Sequence, residues 1–478
     1  MSPVFDEAKY RALLEKLEAS TITNIDLENL FTIGAEFYQK QYLAPLSLME
    51  KNIKEIKTLK QISSLITDGD HGAPDYQENG ILYLLSESIQ EGYINDSVYR
   101  YITPSLHQAL KRSQLKSGDV LVTKTGVYFG KSTVVPANFP EANTSAHVGI
   151  IRISDNSISP YYLSTFINCL YGHVQFRRRG IKATRPEIKL VEFDDIKIPV
   201  LNEKFQGNLA GFIQYANRKR QESIDIYSFA AQLLLQELGL TDWQPDDESE
   251  ATKTFADFQT SGRLDAEYYQ PKYQAIAEKL AQYNNGTVSC ENVLTNAMTK
   301  LTSGTEYCYL ELADIGKSGE INSCTHDIAE NLPSRARQKV KTNDVIVSSV
   351  EGSLTSCALI TEEYNNAICS TGFHVLRSAE INPETLLLLM KSSPVQSLLK
   401  QGCSGTILTA ILPDALKAIK LPLIRKEVQT ELAAKVQESF ALRKASKHLL
   451  DLAKHAVEVA IEQGEDAAMK LLEEVKNA

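Results

Sequence analysis

Two patterns of apolar and polar residues recur along this chain. Short runs rich in β-branched residues, such as DVLVTK (119–124) and DVIVSS (344–349), favour strands. Two longer segments, Glu203–Leu238 and Lys426–Ile461, repeat apolar residues at spacings of three and four, which predicts long amphipathic helices. Gly239 follows the first of these segments and is a natural C-terminal stop for its helix. The chain is therefore expected to mix helices and strands.

The same succession of segments occurs twice. The corresponding pairs are GAEFYQKQY (34–42) with DAEYYQPKY (265–273), GDVLVTKTG (118–126) with NDVIVSSVE (343–351), ISPYYLSTF (158–166) with INPETLLLL (381–389), and DIKIPVL (195–201) with AIKLPLI (418–424). Pairs that keep one order while the offset drifts slowly indicate an internal duplication. The tyrosines of the first pair are predicted to pack rather than to stack on a ligand, because a duplicated position favours a framework role.

The length of the two helices suggests how the copies are joined. Each has roughly 36 residues and would span about 54 Å, more than one small domain covers. An apolar stripe of that length, with Phe212 and Phe440 expected in the core, needs a partner helix, and its own duplicate is the obvious one. The alternative is that each helix packs only on its own domain.

We predict an α+β protein in which two tandem domains of mixed α/β structure are joined by two long antiparallel coiled-coil helices, with pseudo-two-fold symmetry. The predicted boundaries are an N-terminal helical segment (1–54), a first domain (55–200), a first long helix (201–240), an acidic linker (241–264), a second domain (265–424), and a second long helix with a C-terminal tail (425–478).

Composition is typical of a globular protein, and the charge is unevenly distributed. The chain has 478 residues, a net charge of −10 and 7 cysteines, with no CxxC pair, no signal peptide and no apolar run long enough for a membrane span. Sparse, unpaired cysteines favour a cytoplasmic protein and argue against a zinc site. Basic runs at 111–116 (KRSQLK), 176–189 (FRRRGIKATRPEIK) and 334–341 (SRARQKVK) contrast with the acidic stretch 241–258. Such local basic runs are compatible with nucleic-acid binding, although any one of them could be an ordinary solvated surface.

Catalytic motifs are missing from the sequence. KTGVYFGKST (124–133) resembles a phosphate loop, but only three residues separate Gly126 from Gly130, and the valines and prolines that follow are not typical of a helix. There is no GxSxG elbow, no HExxH and no Asn-Pro-Pro-Tyr motif. The nuclease-like pair Glu187 and Lys189 lacks an upstream acid and is attributed to chance. The chain therefore looks like a binding protein rather than an enzyme.

These motifs resemble those of one known family. TDGDHGAP (67–74), LKSGDVLVTKTGVYFG (115–130), ISPYYLSTF, RRGIKATRPEIKLVEFDDIKIPVL (178–201) and DAEYYQPKY are similar, in this order and with the duplication, to the specificity subunit of type I restriction–modification systems. The resemblance covers the chain from about residue 35 onward. It implies two target-recognition domains separated by two long helices, each domain reading one part of a bipartite site in double-stranded DNA.

The resemblance also implies partners. The family binds DNA adenine methyltransferase subunits, here expected to be two, and through them a restriction–translocation subunit. It implies no cofactor in this chain, since S-adenosylmethionine, ATP and Mg²⁺ belong to those partners. The first 30 or so residues and the acidic linker have no clear place in the core pattern and are candidate partner contacts. The alternative interpretation is a non-catalytic protein-interaction or decoy scaffold on the same fold.

Candidate DNA contacts follow from the basic runs and the loops. In the first domain they are His71, Lys124, Lys131, Arg177, Arg178, Arg179, Lys182 and Arg185. In the second domain they are the cations Arg335, Arg337, Lys339, Lys341 and Lys400, with Ser349, Glu351 and Thr406 as candidate base readers. The second copy has no basic residue at 403–411, so we expect weaker phosphate binding there. Glu351 replaces a glycine of the first copy and could accept a hydrogen bond from cytosine.

Overall fold

The structure is a computed structural model that describes Ile22 and residues 34–126, 129–180, 186–245, 250–405 and 409–476. The chain divides into two compact units. Unit 1 comprises Met1–Lys219 and Lys444–Ala478, and unit 2 comprises Arg220–Arg443. None of the described helices is both long enough and apolar enough to cross a membrane.

The helices follow the predicted turn and cap signals, with prolines at the first turn of several of them. In chain order they are α1 (Lys40–Asn52), α2 (Leu59–Ile62), α3 (Pro104–Ala109), α4 (Pro160–Asn168), α5 (Leu170–Gly180), α6 (Leu190–Phe193), α7 (Glu203–Glu237), α8 (Phe255–Ser261), α9 (Pro271–Ala281), α10 (Pro383–Lys391), α11 (Ser393–Gly402), α12 (Pro413–Ala418), α13 (Lys426–Glu462) and α14 (Glu465–Lys476). Short 3₁₀ turns lie at Ala35–Tyr38, Ser86–Ser88, Asp96–Val98, Lys111–Ser113, Ala266–Tyr269, Cys290–Asn292, Leu312–Asp314, Glu351–Ser353 and Glu362–Tyr364.

The strands are short. Those of unit 1 are β1 (Ile56–Thr58), β2 (Ser63–Asp68), β3 (Ile81–Leu84), β4 (Ile89–Gln90), β5 (Tyr93–Ile94), β6 (Arg100–Ile102), β7 (Val120–Thr123), β8 (Ser132–Val134), β9 (Ala142–Thr144), β10 (Val148–Ile153) and β11 (Lys197–Pro199). Those of unit 2 are β12 (Thr287–Ser289), β13 (Leu294–Thr295), β14 (Glu306–Leu310), β15 (Thr325–Ile328), β16 (Ala336–Lys339), β17 (Val345–Ser348), β18 (Cys357–Leu359), β19 (Ile368–Ser370), β20 (Phe373–Leu376), β21 (Cys403–Ser404), β22 (Ala410–Ile411) and β23 (Lys420–Pro422).

A sheet buried on both faces forms the centre of unit 1. Its strand order is β2-β10-β7-β8, and its pairs are antiparallel. Val120 and Val122 of β7 point into the core that contains α4 and α5, whereas Leu121 points into a second core beneath Leu84. Because successive strand residues face opposite sides, burial on both faces explains why this segment is apolar throughout. A smaller sheet, of order β6-β3-β9, lies in the same unit.

Unit 2 repeats this plan. Its main sheet has the order β13-β20-β17-β18, with β17 in the position of β7. Val345 and Val347 face the core that contains α10 and α11, and Ile346 faces the other side. A second sheet, of order β15-β14-β19-β16, joins the unit.

An ion pair between a buried aspartate and a more exposed arginine occurs at the same place in both units and supports the duplication. In unit 1, Arg152 donates to both carboxylate oxygens of Asp119 at 2.7 Å. In unit 2, Arg377 donates to both oxygens of Asp344 at 2.7 and 2.9 Å. Both aspartates are almost fully buried and also accept a backbone N–H three residues upstream. Neither main sheet could keep these carboxylates buried without such partners.

The two long helices lie very close to their predicted bounds and run antiparallel. In unit 1, Leu209 and Phe212 near the start of α7 share a core with Val457 near the end of α13. In unit 2, Leu234 near the end of α7 shares a core with Leu432 near the start of α13. Helix α7 ends at Glu237, and Gly239 adopts the left-handed backbone (φ 66°) that suits a C-terminal stop. The predicted α+β class and the paired long helices are confirmed, and Phe440, like Phe212, packs on the core.

Candidate nucleic-acid interface

The TDGDHGAP motif builds a small charged cluster around Asp68, at the end of β2. Asp68 accepts from Lys124 Nζ at 2.6 Å and from Arg112 at 3.3 Å, and His71 Nε2 lies 3.2 Å from the same carboxylate. Burial alone would raise the pKa of Asp68, but the hydrogen bonds and charges of Lys124 and His71 outweigh it, and the pKa is lowered. His71 and Arg112 are exposed, whereas Lys124 is buried. The solvent-facing side chains of this cluster are therefore His71 and Arg112.

Arg112 is a residue that the motif analysis does not select. It belongs to the basic run KRSQLK, and only the fold brings it to the same carboxylate as His71. Gly69, next to Asp68, explains the tight path of this loop. A side chain there would meet the backbone oxygen of Thr144 at 2.0 Å, so only glycine fits.

KTGVYFGKST connects two strands and does not precede a helix. Strand β7 ends at Thr123, β8 begins at Ser132, and Gly130 N–H donates to Thr123 O at 2.9 Å. Gly126 and Gly130 have φ of 77° and 83°, the left-handed conformation that glycine tolerates best. Lys131 donates to Gln90 at 2.7 Å, and its burial lowers its pKa. A glycine-rich turn between strands explains the sequence without a phosphate-binding loop.

The three consecutive arginines of α5 have different environments. Arg177 is exposed. Arg178 is buried with its guanidinium over the Phe37 ring, 4.3 Å from the centroid. Arg179 is only 1% exposed and donates to Gln175 O at 2.9 Å. Because successive helix residues are about 100° apart, three adjacent arginines cannot all face one duplex.

The basic run SRARQKVK, unlike the arginines of α5, presents all of its cations on the surface. It lies on and around β16, where the cations Arg335, Arg337, Lys339 and Lys341 are exposed and the intervening Ala336, Gln338 and Val340 are buried. Alternation along a strand puts every second side chain on one face, at a spacing of about 6.6 Å. We call these four cations the basic strip.

The members of the basic strip differ in their contacts. Arg335 donates to Glu311 at 2.7 Å and to Tyr309 Oη at 3.1 Å, which fixes its guanidinium although the side chain is 58% exposed. Within the part of the chain that the structure describes, Arg337, Lys339 and Lys341 form no ion pair. Their charge is therefore directed to solvent. The run around β16 therefore presents its cations on one exposed face, whereas the arginines of α5 do not share a face.

Two of the candidate base readers, Ser349 and Glu351, lie directly after β17, at the position that follows β7 in unit 1. Ser349 donates its hydroxyl to Gly372 O at 2.9 Å, and Glu351 begins a 3₁₀ turn whose N–H donates to Thr409 O at 3.0 Å. Glu351 is half-buried. Lys400, on α11, forms an ion pair with Glu267 at 3.5 Å. Lys182, Arg185 and Thr406 lie outside the described residues, and all of these candidate contacts stay predictions.

The duplicated tyrosine motif is part of the framework. Tyr38 and Tyr42 of unit 1 and Tyr273 of unit 2 are buried. Phe37, beside Tyr38, forms the platform for Arg178. The predicted packing role is consistent with this burial.

Among the described residues, one group of side chains has the composition of a metal site. The ligating atoms of Cys308, Cys324 and His326 all lie within 4.8 Å of one another. The sequence gives little sign of it, because fifteen residues separate the two cysteines and no CxxC motif is present. The pairing of β14 with β15 brings the three together.

No protein-family model matches the sequence, and no curated protein is significantly similar to it. Solved structures of type I restriction–modification proteins do align with most of the chain. One, from work on complex assembly and conformational transition of the type I R-M system, is 14% identical, covers 86% of this chain and 98% of its own, and has a TM-score of 0.30. The S subunit from M. genitalium is 12% identical and covers 88% and 97%, with a TM-score of 0.35.

The HsdS subunit from Thermoanaerobacter tengcongensis is also similar to this chain, with 14% identity, 86% and 97% coverage and a TM-score of 0.28. At this identity and these TM-scores, however, the superpositions by themselves identify no function.

Proposed function

We propose that this chain is a non-catalytic specificity subunit of a type I restriction–modification complex, in which each unit reads one half of a bipartite site in double-stranded DNA. The internal duplication carries the proposal. One scaffold, with the same order of strands in the main sheet and the same Asp–Arg pair, occurs twice, and the sequence motifs in it resemble those of that family. A protein that reads two different short sequences needs such a repeated framework with different reading groups.

The side chains at the corresponding strand ends differ between the units. Lys124, at the end of β7, is buried against Asp68, whereas the equivalent residue after β17 is Ser349. Gly126 of the first copy corresponds to Glu351 of the second. A carboxylate can accept from cytosine N4 in the major groove, and glycine reads nothing. In this proposal the strand-end loops determine which sequence each unit prefers.

Phosphate contacts would come from the exposed cations. The basic strip supplies Arg337, Lys339 and Lys341 in unit 2, and unit 1 supplies Arg112 and Arg177, with the exposed His71 beside Arg112. Such contacts bind any sequence and fix the register of the protein on the duplex. Because they are local, the net charge of −10 does not oppose them within a Debye length of about 8 Å at physiological salt.

The chemistry would belong to partners. We propose that two DNA adenine methyltransferase subunits bind this chain and supply S-adenosylmethionine, and that a restriction subunit, where present, supplies the ATP- and Mg²⁺-dependent step. The complex would act in the cytoplasm, where the DNA is. The exposed faces of α7 and α13, the N-terminal segment and the acidic linker are the proposed partner contacts.

The test is affinity purification of the tagged full chain from its native host, followed by mass spectrometry and by sequencing of methylated adenines in the host DNA. We expect a larger methyltransferase at about two copies per chain, and a bipartite methylated site that disappears when this chain is deleted. Recovery of unrelated proteins, with unchanged methylation after deletion, would instead favour the protein-interaction scaffold.

A further inference from the structure

A cluster of two thiols and one imidazole lies at one edge of the β15-β14-β19-β16 sheet. Cys308 on β14 is the register partner of His326 on β15, and Cys324 immediately precedes β15. Residues two apart on a strand share a face, so Cys324 and His326 are both positioned beside Cys308. The cluster therefore lies at the base of the loop that connects the two strands, residues 311–324.

These two cysteines differ from the other five. Cys169, Cys290, Cys357, Cys369 and Cys403 are buried, and their thiols serve as small apolar groups. Cys308 and Cys324 are only half-buried and lie next to each other and to an exposed histidine. Both thiols pack partly against the core that contains Leu310 and Ile346, but that packing does not require an exposed imidazole to converge on them.

The distances suit a tetrahedral ion. Ligating atoms of Cys308, Cys324 and His326 lie within 4.8 Å of one another, and His326 Nε2 is 3.2 Å from Cys324 Sγ. Two thiolates on one tetrahedral zinc ion are about 3.8 Å apart, given Zn–S bonds of about 2.3 Å. A shift of about 1 Å or less, within the reach of small side-chain rotations, would bring all three atoms to ligand distance.

A neighbouring carboxylate completes the pattern. His326 Nδ1, the ring nitrogen that does not face Cys324, lies 3.9 Å from Glu306 Oε1. A carboxylate on the far nitrogen is the usual second partner of a metal-bound histidine, because it holds the ring and its tautomer in place. Glu306 and Cys308 are two apart on β14, so one strand supplies both a thiol and this carboxylate.

We propose that Cys308, Cys324 and His326 bind one zinc ion, with water as the fourth ligand and Glu306 orienting the imidazole. Two soft sulfur ligands with one imidazole select zinc over magnesium or calcium. The ion fastens the β14–β15 connection at one edge of the sheet, and the opposite edge strand, β16, carries the basic strip. Neither the geometry nor the test depends on DNA binding.

A disulfide between the two cysteines is the competing use of these thiols. Diagonal positions on neighbouring antiparallel strands are about 7–8 Å apart. A disulfide needs Cα atoms about 4.4–6.8 Å apart, so at the usual diagonal spacing the backbone would have to move. A metal ion can be bound by two sulfur atoms about 3.8 Å apart, without a bond between them, and it also takes the imidazole of His326 as a ligand.

The experiment loads the purified full chain, without a histidine tag and under reducing conditions, with Co²⁺ and separately with Zn²⁺. We expect one equivalent of metal by mass spectrometry, and with Co²⁺ the thiolate charge-transfer and tetrahedral d–d absorption bands. The variants Cys308→Ser, Cys324→Ser and His326→Ala should each lose the bands and bind zinc at least about 100-fold more weakly, and Glu306→Gln about tenfold more weakly.

Matched controls separate the cluster from the rest of the chain. Cys290→Ala removes a buried thiol and His448→Gln an exposed imidazole, and both should bind metal as the parent does. His326 is 63% exposed, so its variant is expected to fold, which circular dichroism checks. The proposal is overturned if the parent binds no metal, if the three ligand variants bind it equally, or if peptide mapping finds a Cys308–Cys324 disulfide in place of a metal-binding pair.

Discussion

Replacing three cations of the basic strip, Arg337, Lys339 and Lys341, by alanine should weaken DNA binding through a loss of counterion release. Their side chains are exposed and lie on one face around β16, so the substitutions remove charge without opening a cavity. Each phosphate contact contributes about 0.9 to the slope of log K against log salt. If all three contact phosphates, the slope falls by about 2.7.

The same relation gives the loss of affinity. With a slope of about 0.9 per contact and the extrapolation to 1 M salt as reference, the loss of one phosphate contact lowers the binding constant about fivefold at about 0.15 M salt. The loss of three contacts therefore lowers it roughly 100-fold. The loss should be nearly the same for cognate and unrelated duplexes, because phosphates carry no sequence information. Binding of the chain, assembled with its partners, to a fluorescent duplex is measured by anisotropy between low and physiological salt.

A variant that removes the same charge elsewhere in unit 2 is the control. Lys279, Lys417 and Lys420 lie outside the basic strip, on α9, α12 and β23, and their replacement by alanine should leave the slope within about one unit of the parent. If the basic-strip variant keeps the parental slope and affinity, the assignment of this strand to DNA binding is wrong.

The remaining predictions concern single side chains. Arg179→Ala removes a buried and hydrogen-bonded guanidinium and should lower the free energy of unfolding by about 2 kcal/mol. Arg177→Ala removes an exposed side chain and should change the free energy of unfolding by less than about 0.5 kcal/mol. Denaturant unfolding of the two variants measures this difference. Glu351→Gln should change which DNA sequence is preferred, but it should leave the dependence of DNA affinity on salt unchanged. Selection of bound duplexes from a random library should therefore return a different half-site. An unchanged half-site would contradict the role of Glu351 as a base reader. Hydrogen bonds from Lys57 and Ser157 hold the pKa of Asp155 at about 2, below its usual 3.8. This carboxylate stabilises the folded state above about pH 4, and the stabilisation is lost as the pH falls toward about 2. Lys57→Met should therefore flatten the acid side of a plot of melting temperature against pH. An unchanged plot would show that the Lys57–Asp155 pair does not stabilise the fold.

Much of the framework can be predicted because it depends on local periodicity. The bounds of α7 and α13 agree with the apolar spacing to within one residue at each end, and Gly239 follows the end of α7 by two residues. The duplication is equally visible, because both copies keep their strands and prolines in one order. The prediction that KTGVYFGKST is not a phosphate loop agrees with the strand that follows it.

The exposure of each cation is harder to predict, because the number of basic residues in a run does not tell which of their side chains face solvent. Arg178 contacts the buried Phe37, in the distant turn Ala35–Tyr38, and Arg179 donates to Gln175, one turn back on α5. For the basic strip, the alternation of charged and small or apolar residues is present in the sequence. Interpreted as a strand pattern, it favours this run over the helical arginines.

The class of fold, the repeat and the two long helices follow from the sequence alone, because each rests on spacing along the chain. Which groups meet depends on the folded chain. Strand pairing brings Cys308 beside His326. The pairing of β10 with both β2 and β7 brings Lys124 to Asp68, and the turn Lys111–Ser113 places Arg112 at the same carboxylate. These contacts join residues far apart in the chain, and their geometry is set by strand register and by the burial of both sheet faces, which no local pattern encodes.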